Sequence, residues 1–124
     1  MDTLKKYLFI ALSWTAIYFS PTAGFLLLVG FFVMADTITG VMAAWKVGET
    51  ITSKKFRACI PKYIVYGVAV LVAHVLQKEF FIEFPAMKLI AGFIAYSELM
   101  SIDENIQKIS GVSLFKFFID KLKR

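Results

Sequence analysis

The 124-residue chain has one cysteine and one histidine, too few for most kinds of chemical site. Cys59 alone cannot form an intramolecular disulfide, and His74 alone leaves no cluster of histidines and cysteines at the spacing of a metal site. The chain also lacks a glycine-rich phosphate loop and a serine–histidine–acid arrangement. These absences predict a protein that is not an enzyme and that needs no metal or other cofactor.

Charge is scarce as well, because charged residues make up 19% of the chain and hydrophobic residues 59%. No charged residue occurs from Tyr7 to Ala35, from Ile64 to Gln77 or from Leu89 to Ser97. A bilayer core about 30 Å thick needs about 20 helical residues to cross it, so such runs indicate membrane-spanning helices. The runs do not alternate between apolar and polar residues, as the strands of a membrane barrel do. The sequence therefore predicts an all-α integral membrane protein in contact with the lipid bilayer.

The three prolines fall near predicted helix boundaries. Pro21 interrupts the first apolar run, Pro61 suits the first turn of a helix, and Pro85 lies in the short polar turn Lys78–Lys88. About four transmembrane helices are predicted, near Leu4–Ser20, Ala23–Trp45, Pro61–Gln77 and Ala86–Asn105. The first is short, so it spans the membrane with a tilt or lies in the interface. A cleaved signal peptide is the alternative for this segment, although the apolar run continues past a plausible cleavage site.

Lysine and arginine concentrate in three regions that four spans would place on the same side of the membrane. These regions are the N-terminus, the loop Lys46–Lys62 and the C-terminus. Because basic residues collect on the cytoplasmic side, we expect a multi-pass protein of the bacterial inner (cytoplasmic) membrane with both termini in the cytoplasm. This topology also accounts for the net charge of +5, so nucleic-acid binding is not needed to explain it.

The sequence divides into a membrane domain, residues 1–111, and a basic amphipathic cytoplasmic tail, residues 112–124. Apolar residues of the tail recur at helical spacing, at Leu114, Phe115, Phe118, Ile119 and Leu122. The basic residues Lys116, Lys121, Lys123 and Arg124 fall mostly elsewhere. Such a helix would lie on an anionic cytoplasmic leaflet, or the tail is a solvated charged end that enforces topology.

Two acidic residues, Asp36 and Glu98, lie within apolar segments, where an unpaired charge is costly. Small and polar residues share a helix face with each acid, and these faces form a candidate oligomer or pore face. Its residues are Asp36, Thr39, Gly40, Ala43, Ala44, Glu98, Ser101 and Asn105. The same faces would equally pack the core of one protomer, with the acids protonated or paired with the basic loop. A proton relay that includes His74 is a further alternative, and Tyr63 and Tyr66 are interpreted as interfacial anchors.

Two segments resemble the phage-lysis and toxin-secretion holins. Residues 36–44 are similar to an Asp-x-x-Thr-Gly-x-x-x-Ala helix of that family, and residues 98–105 to its Glu-Leu-x-Ser-Ile-x-Glu-Asn signature. The small turn Ser110-Gly111-Val112 follows the second segment. Between the two segments lies a basic cytoplasmic loop that is similar to the family's Ser-x-Lys loop and following lysine, with Ser53, Lys54, Lys55, Arg57 and Lys62.

The resemblance covers roughly residues 34–112 and departs from the family at one point. The family's loop often has a glycine before its lysine, where this chain has Arg57-Ala58-Cys59-Ile60-Pro61. The resemblance implies a homo-oligomer that permeabilises the bacterial inner membrane to release a cell-wall hydrolase (a phage endolysin) or a secreted toxin. The alternatives are a regulator of the antiholin type, a small ion or solute channel, and a membrane anchor for another protein.

Overall fold

The computed structural model describes residues 2–80 and 83–124, and every regular element within them is helical. Phe81 and Ile82, in the predicted turn Lys78–Lys88, lie outside the described residues, as does Met1. The helices are α1 (Asp2–Phe19), α2 (Ala23–Lys46), α3 (Ser53–Arg57), α4 (Cys59–Glu79), α5 (Ala86–Ser110) and α6 (Leu114–Leu122). A single 3-10 turn, Ser20–Thr22, joins α1 to α2 at Pro21.

A three-helix bundle of α2, α4 and α5 forms the core. Lys62 near the start of α4 reaches Asp36 on α2, whereas Gly67, further along α4, faces Leu26 near the start of α2, so α2 and α4 run antiparallel. On α5, Met87 packs near Phe25 and Asn105 bonds to Asp36, so α2 and α5 run parallel. The bundle therefore brings the C-terminal ends of α2 and α5 and the N-terminal end of α4 together.

Small and branched apolar side chains fill the bundle. One cluster contains Val29, Val33, Val70 and Ile94, and a second, nearer the start of α5, contains Ala73, Ala86 and Met87. Large apolar residues on the outer faces remain exposed, for example Leu27, Val68 and Phe93. A bundle with a small core and an apolar surface suits a lipid environment, where helices gain little from hiding apolar groups from one another.

The predicted helix ends lie within two residues of the observed ones, except at the end of the fourth helix. The third predicted helix begins earlier, at Cys59, and a short helix (α3) occupies part of the loop before it. Pro61 still lies in the first turn of α4, where its missing amide hydrogen does little harm. The fourth predicted helix continues to Ser110, because the left-handed conformation that ends it falls at Gly111, with a φ of 76°.

Helix α1 is almost separate from the bundle. None of its residues is buried, and Tyr18, near its C-terminal end, makes the hydrogen bonds that join it to α4. The Tyr18 hydroxyl donates to Glu79, and the backbone carbonyl of Tyr18 lies 2.8 Å from Nε2 of the buried His74. The first predicted helix is therefore present, joined to the bundle at one end.

Two helical stretches of the described chain are long and apolar enough to cross a membrane, Asp2–Lys46 and Ser53–Glu79. The first contains α1, the 3-10 turn and α2, and the second contains α3 and α4. Charged residues, including Glu98 and Asp103, lie along α5, the third helix of the bundle. The structure thus supports an integral membrane protein, and the number of crossings stays a prediction.

Candidate functional site

The two acids Asp36 and Glu98 meet at one lysine. Lys62, in the first turn of α4, lies 2.8 Å from Oδ2 of Asp36 on α2. The same ammonium lies 2.9 Å from Oε1 and 3.0 Å from Oε2 of Glu98 on α5. One cation therefore joins carboxylates from two other helices at the point where all three helices approach one another.

Tyr66 and Asn105 complete this arrangement. The Tyr66 hydroxyl donates to Oε1 of Glu98 at 2.7 Å. The Asn105 amide donates to Oδ1 of Asp36 and to Oγ1 of Thr39, both at 3.1 Å. We call these residues the polar cluster, whose members are Asp36, Thr39, Lys62, Tyr66, Glu98 and Asn105. No described side-chain polar atom that is buried lacks a hydrogen-bond partner, so the cluster is satisfied as it stands.

Burial within the cluster is graded. Glu98 is fully buried, with a side chain 1% exposed, and Asp36 is 13% exposed. The Lys62 side chain is 34% exposed and borders an open cleft of about 330 Å³. Polar residues line much of this cleft, namely Asp36, Thr37, Lys55, Lys62, Ser101 and Asn105. Water can therefore approach the cluster from the end of the bundle that carries the basic loop, which we call the basic end.

The predicted oligomer or pore face lies largely inside one protomer. Asp36, Thr39, Glu98 and Asn105 contact one another or Lys62, and Ala43 and Ala44 are buried in α2. A Cβ added at Gly40 would lie 3.5 Å from Nδ2 of Asn105, so α2 and α5 approach closely there. Ser101 lines the cleft. We call the contact of Asp36, Thr39 and Gly40 with Asn105 the α2–α5 seam; an additional role between protomers stays a prediction.

The predicted basic loop divides between two roles. Lys62 belongs to the polar cluster, whereas Ser53, Lys54 and Arg57 are exposed on α3. Lys55 bonds to Glu49 at 3.0 Å, and this hydrogen bond with its Coulombic attraction lowers the pKa of Glu49 from its ordinary value. Lys55, which also lines the cleft, thus connects the cleft to Glu49 of the loop.

The structure gives two single residues contacts that the sequence did not predict. The hydroxyl of Tyr66, which was interpreted as an interfacial anchor, bonds to the buried carboxylate of Glu98. The spacing held a signal for this, since Tyr66 follows Lys62 by one helical turn and shares its face. His74 lies about 18 Å along α4 from Lys62, with Nε2 bonded to the Tyr18 carbonyl. The structure therefore does not place His74 in contact with the two acids.

Sequence reasoning also missed Asp103, which is 5% exposed. Its Oδ1 accepts a hydrogen bond from the backbone amide of Leu114, and its Oδ2 accepts one from the Ser113 hydroxyl. Periodicity gave no signal for this contact, because it joins two helices across the turn at Gly111.

Comparison with known proteins identifies a family for the part of the chain that contains these residues. A family model described as the bacteriophage holin family matches residues 13–124, which contain the whole polar cluster. No curated protein and no solved structure matches the chain. The matched family consists of membrane-permeabilising proteins without enzymatic activity, which insert into membranes and typically oligomerise. With a match over most of its length and a bundle of apolar helices around a polar cluster, the chain belongs to the bacteriophage holin family.

Proposed function

We propose that this protein oligomerises in the bacterial cytoplasmic membrane and opens lesions through which a cell-wall hydrolase or a toxin leaves the cell. The observation that carries the proposal is the polar cluster, which lies within a bundle whose outer faces are apolar. Such a protomer can reside in lipid while it keeps a set of polar groups that are suited to line water.

The cluster supports α5 as a membrane span despite its charges. An unpaired charge at the bilayer centre costs at least about 2.5–3.5 kcal/mol. Glu98 avoids this exposure because it is fully buried and bonded to both Lys62 and Tyr66. Between Leu89 and Met100 the outward residues of α5 are mostly apolar or aromatic, for example Phe93 and Tyr96. At 25 residues α5 is long enough to cross the bilayer. We therefore place α2, α4 and α5 as three spans of one bundle, with α4 antiparallel to the other two.

The distribution of basic residues supports an orientation. The basic end carries Lys46 at the end of α2, Lys54 and Arg57 on α3, and Lys108 near the end of α5. The opposite end carries Lys78 and Lys88 together with Glu79 and Glu83. Because lysine and arginine collect on the cytoplasmic side, we place the basic end and the C-terminus in the cytoplasm.

Helix α1 adds a further exposed apolar surface to the protomer. It has no charged residue after Lys6 and buries none of its side chains in the protomer. Such a surface is unfavourable in water, so we place α1 in the membrane as well, either as a fourth span or within the interface. With a fourth span both termini are cytoplasmic.

Opening would exchange partners within the polar cluster. In the closed protomer the α2–α5 seam holds Asp36 against Asn105, and the cleft beside them is already open at the basic end. Separation of α2 from α5 would let Asp36, Asn105 and Glu98 bind water in place of one another. Two carboxylates share one ammonium, so the cluster has an excess of one negative charge when all three groups are ionised. Water would solvate this charge in the open state. Crowding of protomers would favour this exchange when several polar faces surround one aqueous lesion.

The test is induced expression in a bacterium that also makes a cytoplasmic cell-wall hydrolase. Membrane potential and the escape of the hydrolase are recorded together, and crosslinking follows the oligomeric state. We expect a fixed delay, then sudden depolarisation with escape of the hydrolase and the appearance of higher oligomers. Gly40→Leu, which alters the seam without adding charge, should delay or abolish both events, and Gly92→Leu is its matched control, because a Cβ at Gly92 meets nothing within 4 Å.

Other outcomes would replace the proposal. Steady ion conduction without escape of the hydrolase would indicate a small channel. Continued growth despite confirmed insertion would indicate a regulator or an anchor, which co-expression with a lytic relative and co-purification of a soluble partner would separate.

A further inference from the structure

We infer that α6 binds the anionic phospholipids of the membrane surface, and that Asp103 is the positioning residue that holds α6 there. The inference needs a membrane-inserted protein but does not depend on lesion formation. Three observations support it: the bonds that attach α6 to α5, the division of α6 into two faces, and the charge around it.

The attachment of α6 to α5 is built around one buried carboxylate, that of Asp103. Asp103 accepts hydrogen bonds from the Leu114 amide at 2.6 Å and from the Ser113 hydroxyl at 2.8 Å. Gln107 donates to the same carboxylate at 3.0 Å. The Ser113 hydroxyl also accepts from the Lys116 amide, which makes Ser113 the N-cap of α6. The first turn of α6 is therefore tied to the last turns of α5.

The attached helix presents one apolar face. With about 100° between successive residues, five apolar side chains fall within an arc of about 140°. These are Leu114, Phe115, Phe118, Ile119 and Leu122, and each is exposed in the protomer, Leu122 by 86%. An exposed apolar face of this size on a helix that is held in place calls for an apolar environment outside the protomer.

Charge indicates which environment covers this face. Lys116, Lys121, Lys123 and Arg124 flank the apolar face of α6, with Asp120 as the one acid of the helix. A second copy would bring a similarly basic end against these residues, and like charges would oppose that contact. An anionic leaflet satisfies both features, since acyl chains accept the apolar face and headgroups attract the basic side chains.

The position of α6 in the chain agrees with this environment. Helix α5 ends at the basic end of the bundle, and Gly111 makes the left-handed turn that starts the chain towards α6. Because α6 begins within a few residues of a bundle that resides in the membrane, its apolar face can reach the acyl boundary without a long linker.

The test uses the full chain in vesicles with and without phosphatidylglycerol. In a Cys59→Ser background, Phe118→Cys places an environment-sensitive fluorophore on the apolar face of α6. Phe117→Cys is the matched control, because it removes the same residue type about 100° away, outside the apolar arc. Lipid-borne nitroxide quenchers report the depth of each fluorophore.

We expect the label at 118 to be quenched strongly only when phosphatidylglycerol is present, and the label at 117 to stay more exposed to water. Replacing Lys116 with Gln should weaken the surface partition of α6 about fivefold, and replacing all four basic residues should abolish the dependence on phosphatidylglycerol. Asp103→Asn should reduce the difference between 117 and 118, because α6 loses its fixed orientation.

Three results would overturn the inference. Equal quenching in both kinds of vesicle would show that anionic headgroups are not recognised. A label at 118 that stays in water with phosphatidylglycerol would show that α6 is a solvated tail. An unchanged difference between 117 and 118 after Asp103→Asn would show that Asp103 does not orient the helix. None of these results concerns lesion formation, so the proposed function would remain separately testable.

Discussion

The ammonium of Lys62 lies 2.9 Å from Oε1 of Glu98, a carboxylate with almost no exposed surface. This contact joins α4 to α5, and the second contact of Lys62, with Asp36, joins α4 to α2. Each of the three bundle helices thus contributes one charged group to the same point. The stability of the protomer should accordingly depend more on Lys62 than on any other lysine of the loop.

Replacing Lys62 with Met should lower the free energy of unfolding by about 3 kcal/mol, because two carboxylates lose their cation. We place the value at the low end of the range for buried pairs, since a third of the Lys62 side chain is exposed. Unfolding in mixed detergent micelles measures the change. Lys54→Met, on the exposed side of α3, should change the value by less than about 0.5 kcal/mol.

A variant without any of the three charges, with Asp36→Asn, Lys62→Met and Glu98→Gln, should recover much of the stability lost in Lys62→Met. Equal stability of Lys62→Met and Lys54→Met would contradict a central role for Lys62.

The effect of replacing Asn105 should depend on the charge of the new side chain. Leucine at 105 removes the bonds to Asp36 and Thr39, which we expect to cost about 1–2 kcal/mol, since such bonds average about 0.6 kcal/mol in membranes. Aspartate at 105 keeps the shape but sets a third carboxylate beside Asp36, so it should destabilise the protein more than leucine does. Unfolding in micelles at neutral pH compares the two variants. The opposite order would show that Asn105 mainly fills space.

Gly40 tests whether the α2–α5 seam controls the timing of permeabilisation. Alanine should be tolerated, because its Cβ would lie 3.5 Å from Nδ2 of Asn105, an ordinary contact. Leucine should push Asn105 away from Asp36 and delay or abolish depolarisation while membrane insertion continues. Gly92→Leu is the matched control, since a Cβ at Gly92 has no neighbour within 4 Å. Normal timing in Gly40→Leu would count against the seam as the element that opens.

His74 should govern how firmly α1 is held. Leucine at 74 keeps much of the volume but loses the bond to the Tyr18 carbonyl, a loss of about 1 kcal/mol. A nitroxide at position 13 of α1, in a Cys59→Ser background, should then report faster motion. Val72→Leu, an exposed position on the same helix, serves as control. Unchanged spectra in His74→Leu would show that α1 is held by contacts other than those with His74.

Membrane residence and helical structure follow from the sequence by itself. Long uncharged runs require lipid or a core, and backbone groups in lipid must bond within their own helix, so helices result. The acids Asp36 and Glu98 were recognisable because a charge within an apolar segment needs a partner. The amphipathic pattern of residues 114–122 likewise depends on local spacing alone, and α6 covers this range.

Tertiary structure decided which groups meet. The partners of the polar cluster lie 26, 36 and 69 residues apart, so helical periodicity cannot select Lys62 among the loop lysines or pair Asn105 with Asp36. Their meeting depends on the parallel alignment of α2 with α5 and on the register of α4 against both. The same holds for Tyr66, whose position near a predicted helix end suggested an anchor until packing placed its hydroxyl on Glu98. Periodicity assigns a residue to a face, whereas only packing determines what that face contacts.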